Sequence, residues 1–521
     1  MSIQLQREIR EHAQTWTHSA VFARENGDQV AVLSSWGERS FAQLEAHANR
    51  LADSLRRHGL RDGDPVALMC SNRPEFIEVL LATLRIGLRL TPLSTQLTAE
   101  EVCYILKNSG ARAFFVEHGL AGLAASDLPV QQIVIGGGGG DGAGGDSFES
   151  WLARGNPAPV AAPVPGLLML YTSGTTGRAK GVFRNTPEIV EPQFEGTFAN
   201  YRDGDVALCC GPAYHAAPLL FDIRWPLASG VPIVLMAKWD ALAALKLMAL
   251  HRVTHAHLVP TMFQRLLALP NEVRQAYDLS CLRFVVHGAA PCPVEIKRAM
   301  IEWLGPVLTE YYAATEGGSG IQVDSQTWLT KPGTVGKIEP QLGHCILDDE
   351  DQPVAAGAVG RIFFRAPDTG RFEYFGDAEK TAAAYRNDRF TLGDMGYVDS
   401  DGFLFLVGRT AECIIAGGVN IYPREVDDVL RRHPGVGDVC TVGAPDDEWG
   451  ERVVAVVVPA AQRVPNDSFA AELIGFASLH LASFKRPRQI VFETSLPHTA
   501  TGKLLRNSVR ARFWADRSRA I

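Results

Sequence analysis

From Phe41 to Tyr312 the chain keeps one rhythm, a helical apolar pattern followed by a short, almost wholly apolar run. FAQLEAHANRLADSLRRHGL carries Phe41, Leu44, Leu51 and Leu55 at helical spacing, VALMC follows at 66–70, and SNRPEFIEVLLATLRIG opens the next helix with Pro74 in its first turn. RAFFV and QQIVI continue the series, as do the runs at 167–171, 206–210, 231–236, 254–260, 282–288 and 307–312. Such alternation predicts an α/β body rather than an all-β one.

The chain has 521 residues, too many for one growing core, so at least two domains are expected. After residue 340 the composition shifts to short strands and turns, and GHCILDDEDQPVAAGAVGRIFFRAP predicts a compact antiparallel, β-barrel-like part closing the large domain. From FLFLV at 403 the pattern changes again, to strands interspersed with two substantial helices. The expected division is therefore an α/β domain over 1–410 and a small α+β domain over 411–521. The run GGGGGDGAGG at 136–145 has nothing to pack and reads as a surface loop.

Acidic residues outnumber basic ones by 58 to 50, which opposes a sequence-independent grip on nucleic acid. Arg506, Arg510, Arg512, Arg517 and Arg519 crowd the C-terminus and read as a solvated helical face or a frayed tail. The nine cysteines include no CxxC pair, the first residues lack a secretory signal, and no segment has 18 unbroken apolar residues. A reduced, cytoplasmic setting without a transmembrane segment is the expectation, and a homodimer is compatible with it.

Directly behind the run GLLMLY stands YTSGTTGRAKG, eleven residues of which seven are Gly, Ser or Thr. Unobstructed backbone N–H groups, hydroxyls and the Lys180 ammonium suit a phosphate. The spacing is not that of the P-loop, since Gly177 is followed by Arg178, and a plain flexible turn is the alternative.

Further blocks follow in order: AYHAAP at 213–218, HGAAPCP at 287–293, YYAATEGG at 311–318, LGDMGYVDSDGFLFLVGR at 392–409, IIAGGVNIYPREV at 414–426 and LPHTATGKLLR at 496–506. Together they resemble the adenylate-forming superfamily, in particular its acyl- and aryl-CoA ligases. The resemblance implies ATP, Mg2+ and coenzyme A as the small-molecule partners of a carboxylic acid. It implies that Thr172, Ser173, Gly174, Thr175, Thr176, Gly177 and Lys180 wrap the ATP phosphates, with Glu316 as the magnesium ligand and Thr315 a donor to the α-phosphate. It implies an adenine slot of Tyr312 against Gly288, Ala289 and Ala290, ribose held by Asp394 with Arg409, and His215 as a gate near the substrate carboxylate. Lys503 would be the catalytic lysine on a mobile domain turning about Ala411, and Gly417, Gly418, Trp449, Phe484 and Arg486 would receive CoA.

Without the resemblance several of these residues have plainer readings. Lys503 alone is a surface lysine, Asp394 with Arg409 a structural ion pair, Glu316 a solvent-facing carboxylate, Trp449 a core aromatic and His215 a hydrogen-bonded core histidine. Four positions leave the family pattern: Ala313 where Gly is usual after the tyrosine, Ala411 where the hinge is usually Lys or Asp, Arg361 where an acidic residue is common, and Leu392 where Thr is common. The function implied is an ATP-dependent carboxylate–CoA ligase for a hydrophobic acid. The alternatives are an adenylating enzyme that loads a carrier protein, or a catalytically weak acyl- and nucleotide-binding protein.

Overall fold

A computed structural model describes residues 1–125, 128–137, 146–172, 179–416, 419–461, 463–499 and 502–515. The eight-residue stretch 138–145, most of the glycine run, lies outside them.

Two eight-stranded sheets form the large α/β body. The first runs 317–324, 308–314, 284–287, 255–258, 207–209, 233–235, 30–34 and 37–40, parallel through its middle and antiparallel at both edges. The second runs 373–374, 180–183, 167–172, 89–92, 65–69, 113–117, 131–135 and 146–147. Its parallel pairs need crossovers, and helix Pro74–Leu84 supplies one between 65–69 and 89–92. All residues of that helix are buried, which explains its nearly continuous apolar sequence, and Pro74 sits in its first turn as its fixed φ favours. Helix Phe41–Arg57 starts at a reciprocal cap between Ser40 and Gln43, and its Leu44, Leu51 and Leu55 enter the same core.

The third sheet is the expected barrel-like part. It has six strands, 336–337, 403–409, 389–398, 360–365, 345–347 and 385–386, all paired antiparallel. The fourth holds 419–421, 414–416, 450–459, 436–446 and 489–492, covered by helices Pro423–Leu430, Asp467–His480 and Arg506–Trp514.

Three sequence expectations differ from this. The N-terminus folds into two helices, Ile3–Ala13 and His18–Asn26, before the first strand, where no element was expected. The small unit contains a third helix, Arg506–Trp514, on which Arg506 and Arg510 turn inward while Arg512 stays exposed; Arg517 and Arg519 lie outside the described residues. Arg506 is buried against Asp427 at 2.7 Å and Glu412 at 3.1 Å, and Arg510 pairs with Glu451. Opposite charges on neighbouring elements draw Arg506 and Arg510 inward. Asp394, expected in a loop, lies within strand Arg389–Val398. Among the described residues no helix is long and apolar enough to cross a membrane.

Candidate functional site

Asp394 and Arg409 stand fifteen positions apart, yet the hairpin of strands Arg389–Val398 and Phe403–Arg409 sets them directly opposite each other. The Arg409 Nε donates to Asp394 Oδ1 at 2.9 Å, and the Tyr312 hydroxyl donates to Oδ2 at 2.7 Å. Asp394 and Tyr312 are buried; burial, and then the Asp394 charge, push the Tyr312 phenol well above its ordinary range. Each carboxylate oxygen keeps a further acceptor site for a ligand hydroxyl.

These three side chains border a cavity of about 230 Å3 that Ala289, Ala290 and Lys503 also line. Ala289 holds a positive φ of 66°, so the segment after strand Phe284–His287 turns sharply there. Gly288 has a different neighbour from the one expected: a β-carbon would lie 2.6 Å from the Tyr311 ring, not the Tyr312 ring.

Lys503 lines the cavity beside a close backbone contact, the Gly502 N–H donating to the Thr499 carbonyl at 2.8 Å. The Lys503 N–H donates to Thr499 Oγ1, and His498 bridges Leu504. Gly502 holds φ 74° and abuts Thr261, in the first turn of helix Pro260–Leu267, so closely that a β-carbon would lie 2.0 Å from its hydroxyl. The ammonium has no ion pair within 4.0 Å among the described residues. Burial and then Arg409 lower its pKa, against the attraction of Glu412, Asp394 and Glu316.

Glu316 lies in the turn between strands Leu308–Ala314 and Gly317–Asp324. The Tyr374 hydroxyl donates to its Oε1 at 3.0 Å, and Arg184 Nη2 donates to its carbonyl at 2.6 Å. Lys180 stands over the Tyr374 ring at 4.8 Å and faces Thr172 across the strand pair 167–172 and 180–183. Thr172 and Lys180 thus mark the two ends of the hydroxyl-rich loop, whose Ser173, Gly174, Thr175, Thr176 and Gly177 lie outside the described residues. Among those described, no three His, Cys, Asp or Glu side chains are grouped to hold a metal. A lone carboxylate such as Glu316 fits magnesium, which takes one or two carboxylates and otherwise phosphate and water oxygens.

Sequence reasoning missed Tyr374 and Glu310; Arg184 it left between reaching the ligand and facing solvent. Glu310 and Tyr312 point to one face of their strand, and Glu310 also lines the cavity. Its Oε2 accepts from the buried Lys297 Nζ at 2.7 Å. Only the period-two spacing to Tyr312 could have signalled it.

Other expected residues lie apart from this cavity. His215 stands before the short helix Ala216–Pro218; burial lowers its pKa to about 4, and its Nε2 has no hydrogen-bond partner among the described residues. Thr315 shares the Glu316 turn. Trp449 and Phe484 are half exposed on the small unit, and Arg486 donates to the carbonyls of Leu481 and Ser478. Gly417 and Gly418 lie outside the described residues. Ala411 is exposed in the turn Thr410–Glu412 that joins the third and fourth sheets.

The sequence matches the AMP-binding enzyme family over residues 19–372 and the AMP-binding enzyme C-terminal domain over 425–503. It is 32% identical to a fatty acid–[acyl-carrier-protein] ligase, ScoC, of Streptomyces coeruleorubidus, over 94% of this chain and 95% of that one. Identity to a feruloyl-CoA synthase of an Amycolatopsis species is 33%, over 94% and 97%. Among solved structures, the anthranilate CoA ligase AuaEII with anthranoyl-AMP shares the fold at TM-score 0.85 and 24% identity, covering 98% of this chain and 97% of that one. The ATP-bound chimera B1 of RpMatB and BxBclM superposes at 0.82 with 27% identity, covering 96% and 99%.

Proposed function

Because the chain belongs to the AMP-binding enzyme family, we propose that it is an ATP-dependent carboxylate–CoA ligase acting on a hydrophobic acid, whether fatty, alicyclic or aromatic. The observation that carries the reading is the meeting of Lys503 with Tyr312, Asp394 and Arg409 around one cavity. We divide the chain after Arg409–Thr410, the large unit binding ATP and acid, the small one carrying Lys503.

In this reading adenine lies along Tyr312 between Ala289 and Ala290, with the free Glu310 oxygen accepting from its amine. Asp394 takes the two ribose hydroxyls and Arg409 holds its carboxylate in place. The acid is already ionised at neutral pH, so no general base is needed. A carboxylate oxygen attacks the α-phosphorus, the bond to the oxygen bridging the β-phosphate breaks, and pyrophosphate leaves. The Lys503 ammonium offsets the charge brought together there, and Thr315 donates to the α-phosphate. Thr172 to Lys180 cradle the leaving phosphates. Bound magnesium supplies charge neutralisation on those phosphates, and Glu316, oriented by Tyr374, is the carboxylate that would hold it.

For the second step the small unit turns about Ala411 and withdraws Lys503. The segment with Gly417 and Gly418 then flanks the pantetheine arm, while Trp449, Phe484 and Arg486 bind the CoA nucleotide. The thiol sulfur attacks the acyl carbonyl and AMP departs, with His215 beside the reacting carboxyl group. The second reading, transfer to a carrier protein, draws on the 32% identity to ScoC. Pyrophosphate exchange over a panel of acids, with thioester detected by mass on CoA or on a holo-carrier protein, separates them. Thioester on CoA is expected. Thioester on the carrier alone favours the second reading, and no exchange with any acid overturns adenylation and leaves a nucleotide-binding protein.

Two further results are expected. Tyr374→Phe leaves Glu316 short of one charge-assisted hydrogen bond, and the magnesium concentration for half-maximal exchange should rise about tenfold, with little change in the KM for acid. Exchange measured as kcat/KM for ATP should fall on the alkaline side below the ordinary lysine range. A lowered lysine pKa means that the ammonium is lost earlier as pH rises. Lys503→Arg should remove that limb.

A further inference from the structure

Ala411 offers no charge at the junction of the third and fourth sheets, yet the residues on either side of it are each tied to one unit. The Thr410 hydroxyl donates to the Gly393 carbonyl at 3.2 Å, on the large-unit side. The Arg506 Nε donates to Glu412 at 3.1 Å, within the small unit. Neither bond spans the junction, so neither fixes the angle between the units.

A bond that does span it comes from the start of helix Pro423–Leu430. Arg424, with its side chain 17% exposed, donates from Nη1 to the Leu406 carbonyl at 2.9 Å. Its Nε stands 3.5 Å from Asp428, one helical turn on, which orients the guanidinium. Two residues before it, the Tyr422 ring lies against Gly408, where a β-carbon would meet Cδ1 at 3.5 Å. Leu406 and Gly408 belong to strand Phe403–Arg409, whose last residue pairs with Asp394. Arg424, Leu406 and Gly408 also line the cavity that Lys503 borders. The small unit thus grips the strand that carries Arg409, and the grip includes a bond from an ionised donor, stronger than a neutral one.

We propose that Arg424 is a positioning residue for adenylation: by clasping the Leu406 carbonyl it holds the small unit where Lys503 borders the cavity, and it lets go when that unit turns. The packing of Gly502 on Thr261 is a contact of shape. Arg424 adds directed attraction, in a chain whose hinge residue has no charge to supply it. The kinetic half of this rests on the proposed ligase function, whereas the docking half does not.

Amide hydrogen exchange read by mass tests the docking on the full chain without ligand. Residues 502–505 lose their cover when the unit lifts from Thr261, so in Arg424→Ala they should exchange about tenfold faster. Strand Gly450–Pro459, inside the fourth sheet, should exchange as in wild type. Should that strand loosen too, Arg424→Gln, which keeps a stem and a neutral donor, replaces the alanine variant in the same comparison. In the catalytic arm, acid-dependent pyrophosphate exchange should fall about tenfold in Arg424→Ala, with thiolysis of supplied acyl-adenylate unchanged. Arg424→Lys, which keeps a cationic donor, should recover part of that loss. Equal protection of residues 502–505 in wild type and variant overturns the latch, as does an equal loss in both half-reactions. If the wild type exchanges pyrophosphate with no acid, the ligase reading falls instead, and amide exchange of residues 502–505 still decides the latch.

Discussion

In Lys503→Ala, acid-dependent pyrophosphate exchange should fall by about 10^2–10^3-fold, the usual cost of deleting one preorganised donor at a developing charge. Thioester formation from supplied acyl-adenylate should change far less, because in the proposed two-step scheme the lysine leaves the site before that step. The two half-reactions are measured separately, by exchange and by thiolysis with CoA. Equal losses in both would mean that one arrangement of the two units serves both steps. The structure makes the contrast sharp: Lys503 sits on the rim of the cavity lined by Tyr312 and Asp394 where Gly502 is pressed against Thr261 of helix Pro260–Leu267.

Gly502→Ala tests that contact without touching a reacting group. The new β-carbon would fall 2.0 Å from the Thr261 hydroxyl, and alanine at φ 74° carries a further backbone cost of about 1–2 kcal/mol. The docked arrangement should therefore be depopulated, with adenylation lowered about tenfold to a hundredfold. Thiolysis of supplied acyl-adenylate should be spared. Thr261→Gly combined with Gly502→Ala relieves the clash but not the φ strain, so it should recover part of the exchange rate. No recovery would assign the loss to the turn itself rather than to its docking.

The same contact explains what a linear reading could see of the site. TGK was legible as a turn with a lysine, and GD with a downstream R as an acid and a base. That Asp394 and Arg409 share one hydrogen bond follows from hairpin register, which local sequence partly encodes through the turn DSDG between the strands. Tyr374 was not legible. Its strand is two residues long, and it meets Glu316, 58 positions away, only because it pairs Val182 at the edge of the second sheet. A strand so short has no periodicity to read. Arg506 and Arg510 misled for a related reason: charge along a helix reports solvent exposure only when no complementary charge is packed against it, and their partners Asp427 and Glu451 lie 79 and 59 positions earlier.

The cysteines needed no tertiary information. All nine are free in the structure, in keeping with scattered thiols and no CxxC pair. Gly288 did need it. Its smallness was legible, but the ring that occupies the space is that of Tyr311, and strand alternation alone does not say which of two adjacent tyrosines faces which neighbour.

Residue order alone determined the α/β character, the change of architecture after residue 340, and the ordered motifs that resemble adenylate-forming enzymes. Those features are local: apolar periodicity, turn residues and short blocks carry them within a few neighbours. The tertiary structure alone decided that Lys503 borders the cavity of Tyr312 and Asp394, and that Tyr374 holds Glu316. Each of these depends on two distant segments meeting, and that is settled by packing of whole sheets and helices rather than by anything either segment contains.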